Sequence, residues 1–143
     1  MKFLGITGFD SYTNVAFNNA AKLADDTECE NLYAVHFLVA LLDNDQIRKD
    51  FEYKTGINKE ELIGKIEDLT NSGEYGYKEI PDEFNINNIS EEVRHAINKM
   101  IQSRYQTGTV VNPMDAYISL MSEENTTITS VIADINPQLD LIE

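Results

Sequence analysis

Apolar residues recur at helical spacing along almost the whole chain. After Asp10, a residue suited to accept from the free N–H groups of a first turn, Val15, Ala16, Ala20, Leu23 and Ala24 form one stripe, with Phe17 beside them. This predicts a helix ending near Asp26. A second, from about Ala34, carries His36, Phe37, Leu38, Val39, Ala40, Leu41 and Leu42. It is apolar nearly all round, as expected of a helix buried at the centre of its half. Ile47 and Phe51 predict a short helix over about 46–54, closed by Gly56. Asn58-Lys59-Glu60-Glu61 is a capping box with Asn in place of Ser or Thr, opening a helix through Leu62, Ile66 and Leu69.

Residues 71–88 interrupt this pattern with Gly73, Gly76, Pro81 and scattered Asn and acidic residues, the marks of a connector. Its apolar residues, Tyr75, Tyr77, Ile80, Phe84 and Ile86, predict that it lies against the body of the fold. Tyr75 and Tyr77 are also candidate peptide contacts, since aromatic rings make good anchors. The helical plan then returns. Ser90 caps a helix bearing Val93, Ala96, Ile97, Met100 and Ile101. Asn112-Pro113 is a cap with proline in the first helical position, opening a helix with Met114, Ala116, Tyr117, Ile118, Leu120 and Met121. Thr126 or Thr127 opens a short helix with Ile128, Val131 and Ile132, and Asn136-Pro137 opens a final turn or two.

The two halves align with nearly constant offset. Asp10 matches Ser90, Ala16-Phe17 matches Ala96-Ile97 and Ala20 matches Met100, all 80 residues on. His36 matches Asp115, Leu38 matches Tyr117 and Val39 matches Ile118 at 79. A one-residue loop difference accounts for the slip. Neither apolar central helix can be covered by its own half, so the halves must pack together. The expectation is an all-α, eight-helix globule of two pseudo-symmetric four-helix repeats in one domain over 1–143. Repeat one covers about 9–70, the connector 71–88 and repeat two about 89–143.

Composition narrows the function. Within 143 residues, 25 Asp and Glu outnumber 11 Lys and Arg, a net charge of −14. The excess is spread out, at −3 over 1–42, −6 over 43–88 and −5 over 89–143. Such a chain is not expected to bind nucleic acid or an anionic membrane, whose affinity rests on clustered cations. The longest apolar run, Phe37 to Leu42, is six residues and too short to span a bilayer. One cysteine, Cys29, fits a reducing cytoplasm, and its acidic neighbours disfavour a reactive thiolate. Two histidines, His36 and His95, supply no metal-site spacing, and no phosphate loop, dinucleotide fingerprint or nucleophile elbow is present. No enzymatic activity, metal or cofactor is therefore expected.

With the duplicated plan in view, the chain resembles the N-terminal double-repeat domain of Clp-family AAA+ unfoldases over about residues 9–142. Phe9-Asp10 stands at the family's aromatic-and-cap opening, followed by Thr13, Ala16, Ala20 and Ala24 at the family's small-residue steps. Ala34-Val35-His36-Phe37-Leu38 stands where the family has its histidine-leucine motif, and Asn58 to Leu62 is similar to its fourth helix. The resemblance implies a non-catalytic recognition module for adaptor proteins or unfolded or tagged substrates, serving an ATPase ring in cis or in trans. It places the binding positions at Val35, His36, Met114 and Asp115. In some relatives a glutamate before the motif histidine, once per repeat, grips phosphorylated arginine. Here those positions are Val35 and Met114, which cannot accept from a guanidinium, and Asp115 replaces the second histidine. The alternative reading is a freestanding repeat protein with a structural or regulatory interaction role. By residue chemistry alone, His36 is a polar group satisfying nearby backbone at a helix start, and Asp115 answers the positive end of its helix. Met100 and Met121 are read as core filling.

Overall fold

Each helix begins where something on the chain can take up the free N–H groups of its first turn. The computed structural model describes residues 5–29, 31–71, 89–124 and 126–137. Asp10 caps α1 (Ser11–Asp26) through Thr13 N, and Asn44 caps α3 (Asp45–Thr55) through Gln46 N and Ile47 N. Asn58 and Glu61 exchange reciprocal bonds of 2.9 and 3.2 Å at the start of α4 (Lys59–Asn71), the capping box read from sequence. Asn112 and Thr126 cap α6 (Pro113–Ser122) and α7 (Thr127–Ile135). Gly56 ends α3 in the left-handed region at φ 68°, where a β-carbon would be strained.

The described residues are thus all-helical, with seven helices, α2 (Ala34–Leu41) and α5 (Glu91–Tyr105) completing the set. The expected eighth helix falls on 138–143, and Tyr75 and Tyr77 fall on 72–88; both stretches lie outside the described residues. Asn136, expected to cap that last turn, is the C-cap of α7, and its side-chain amide donates to Thr55 O. Asn71, assigned to the connector, is the last residue of α4.

α2 is the centre. All eight of its residues are buried, and it packs against α1, α4, α6 and α7. An eight-residue helix is marginal by itself, so its stability comes from these neighbours. Phe37 meets Phe17 edge-on at 5.4 Å between ring centroids, and Phe9 closes the trio at 6.2 and 6.3 Å. The buried stripe of α1 is Thr13, Ala16, Phe17, Ala20, Ala21 and Ala24. Ala21 takes the place expected of Val15, which is 52% exposed, because the small residues let α1 approach α2 along their own meridian.

The chain crosses between its two halves at two parallel bridges, Phe9 with Val111 and Leu32 with Ile89. Each joins the residue before an N-cap in one half to the residue before an N-cap in the other. At the first, Asp10 N donates to Val111 O and Val111 N to Gly8 O. Gly8 has φ +100°, and a β-carbon there would sit 3.2 Å from Ile101 Cγ1, so both backbone and space call for glycine. At the second, Ser90 N donates to Leu32 O. Ser90 occupies the expected N-cap of α5, but its hydroxyl makes no cap bond.

Two side chains reinforce the crossing. Tyr117 of α6 donates to Asp50 of α3 at 2.6 Å, with Lys54 Nζ 3.1 Å from the same oxygen. This bond, and then Lys54, holds the Asp50 carboxyl below its ordinary range despite an opposing desolvation contribution, while burial and then Asp50 push the Tyr117 hydroxyl well above its own. Glu92 reaches from α5 to two helix starts at once, accepting from Ala34 N at 2.7 Å and from Thr127 N at 2.9 Å, and from the Thr127 hydroxyl.

Removing these carries different costs. Glu92→Ala leaves three donors without their acceptor and is expected to destabilise by about 1–3 kcal/mol, whereas Glu91→Ala, on exposed surface, stays within about 0.5 kcal/mol. Urea midpoints of the two variants, read at equal slope, check this. Equal midpoints would show that water replaces the Glu92 carboxylate without loss. Tyr117→Phe is expected to cost about 1–2 kcal/mol, with a smaller effect in an Asp50→Ala background, as a double-mutant cycle by denaturant unfolding will report.

Candidate functional site

Val35 and His36 lie at the start of α2 and Met114 and Asp115 at the start of α6, and the two starts are built alike. At α2, His36 is the third helical residue, and its Nδ1 accepts from the backbone N of Tyr33 at 2.9 Å. At α6, Asp115 is the third helical residue, and its Oδ2 accepts from Asn112 N at 3.1 Å. Both side chains reach back to the N-cap, and each does the job of the glutamate in a capping box. The local backbone role read for His36 from sequence is the contact it makes.

Accessibility separates the two starts. At α2, Ala34 N is bonded to Glu92, Val35 N to the Thr127 hydroxyl at 3.1 Å, and His36 N to Tyr33 O. The first turn has therefore spent its donors inside the protein. Val35 and His36 are fully buried. A negative ligand at a helix start needs free, outward N–H groups, and a carboxylate of this chain already stands there.

Burial also fixes the state of His36. Nδ1 is an acceptor, so the proton of the neutral ring sits on Nε2, which has no hydrogen-bond partner among the described residues. Desolvation drives its pKa down to about 3. The ring lies 5.9 Å from that of Tyr33. The ring is thus a buried, neutral acceptor for the backbone at the start of α2.

At α6 the equivalent positions are more open. Met114 and Asp115 are half-buried, and Ile118, expected in the apolar core of the helix, is 58% exposed. Pro113 contributes no N–H to the turn. Asp115 also pairs with Arg104 of α5. One turn back along α5, Lys99 pairs with Glu123 at 2.8 Å, and His95 lies 3.9 Å from the same carboxylate. Between α5 and α6 runs a groove of about 320 Å³, floored by Met100 and bordered by Lys99, Arg104, Asp115 and Ile118. Met100 is 3% exposed, as core filling requires. The structure thus places Asp115 beside a groove, Met114 partly buried against the core, and Val35 and His36 within it.

Several residues of this arrangement were not singled out by sequence. Nothing local marks Glu92, and Thr127 reads as a simple cap. Arg104, Lys99 and Ile118 gain meaning only from helix packing. A second hollow, of about 300 Å³, lies between the ends of α1 and α4 and is lined by Asp26, Glu28, Glu67 and Thr70. Beside it Cys29 is buried, its Sγ 3.3 Å from the Thr27 hydroxyl and 3.2 Å from that of Thr70. Among the described residues no cluster of three His, Cys, Asp or Glu is arranged to hold a metal ion. No helix among them is long and apolar enough to cross a membrane.

Because His36 is neutral when folded and titrates near 6.5 when unfolded, the unfolded chain binds more protons as pH falls. Its contribution is constant above about pH 6.5 and declines as pH drops toward the folded value of about 3. Stability is expected to fall by about 2 kcal/mol between pH 7 and pH 5 from this group alone. His36→Asn, which keeps an acceptor without the titration, should flatten that slope whatever its own cost at pH 7. Denaturant unfolding of both proteins at the two pH values decides it. An unchanged slope in the variant would mean that His36 is protonated within the fold.

No family model matches this chain, and no curated protein matches it. Solved structures do. A chain from structural investigations of a malarial protein secretion system superposes with a TM-score of 0.58, covering 90% of this chain and 84% of that one at 18% identity. At that identity the likeness is one of fold.

Proposed function

We propose that this chain is a non-catalytic protein-recognition module of two Clp-like repeats, resembling the N-terminal domain of a Clp unfoldase and binding adaptor or substrate polypeptides. The observation that carries the reading is the pair of crossed bridges. Phe9 and Ile89 are 80 residues apart, Leu32 and Val111 are 79, and each bridge pairs a first-helix start of one half with a second-helix start of the other. These are the offsets at which the two halves align in sequence, and a two-fold exchange of repeats is the simplest plan that yields both. The matched roles of His36 and Asp115 support it further. An eighth helix over the last residues would complete the second repeat.

Recognition on this reading uses the start of α6 and the adjoining α5–α6 groove, where Asp115 and Ile118 line the opening. The net charge of −14 favours neutral or basic unfolded segments over acidic ones. An ATPase ring, in cis or in trans, would act on what is bound. One observation favours the alternative, a freestanding repeat protein with a structural or regulatory role. The start of α2, a motif position in the family, is filled from within by Glu92 and Thr127. An unfoldase partner that binds the chain supports the first reading, and its absence supports the second.

An ¹⁵N-labelled sample titrated with an unfolded basic polypeptide tests the recognition site. Shifts are expected at Met100, Arg104 and Ile118, and Ile118→Asp should weaken binding by about tenfold or more. No shift at any amide at millimolar polypeptide would sink the recognition reading. Phosphoarginine titrated in the same way is expected to leave the amides of Ala34, Val35 and His36 unmoved. Saturable shifts there would show that Glu92 yields to an external anion.

A further inference from the structure

No further inference is drawn: the strongest candidate, the groove between α5 and α6, belongs to the site already described, its lysine and arginine are already paired with Glu123 and Asp115, and nothing in the structure shows what covers Ile118.

Discussion

The fold turns on two peptide units, each gripped from both sides. The Leu32–Tyr33 peptide offers its carbonyl to Ser90 N of the other half and its N–H to His36 Nδ1. The Val111–Asn112 peptide offers its carbonyl to Asp10 N, with the Thr13 hydroxyl 3.0 Å from the same oxygen, and its N–H to Asp115. In a trans peptide the two groups point in opposite directions, so one flat unit joins a central helix on one side to the opposite half on the other. Buried backbone polar groups must be paired. Once these two are paired in this way, the direction in which each central helix leaves the crossing is set.

From that constraint the burial of α2 follows. Its residues are apolar on every side, which is tolerable only if neighbours close over every side. The crossing brings α6 and α7 from the second half to join α1 and α4 from the first. Glu92 then performs two tasks with one carboxylate. It supplies negative charge at the positive ends of α2 and α7, and it ties both helices to α5. The Phe9, Phe17 and Phe37 rings fill the space beside the first crossing and exclude water from it.

Helix ends were legible in the sequence because caps are local chemistry. Asp10, the Asn58–Glu61 box, Gly56 and Asn112-Pro113 act within three or four residues of where they stand. His36 was legible for the same reason, its acceptor reaching back three residues. What escaped were decisions made between helices. Val15 is as apolar as the residues beside it, and only the docking of α1 on α2 sends it outward in favour of Ala21. Ile118 continues the apolar pattern of α6 yet stands at an open face. Glu92 is bonded to partners 58 and 35 residues away, a distance over which no local rule selects it from its exposed neighbour Glu91.

The same local plan has therefore produced two unlike surfaces. In the first half the residue at the third helical position is an imidazole in the core, and the turn around it is satisfied from within. In the second it is a carboxylate tied to Arg104 on the rim of a groove. Where α1 and α2 place Ala20, Ala24, Val39 and Ala40, all buried, α5 and α6 place Met100, Arg104, Ile118 and Ser119. Small apolar side chains let the first pair of helices close on each other. Longer and partly polar ones hold a trough between the second pair. The difference in side-chain size at these positions is thus enough to seal α1 on α2 while leaving α5 and α6 with an open face between them.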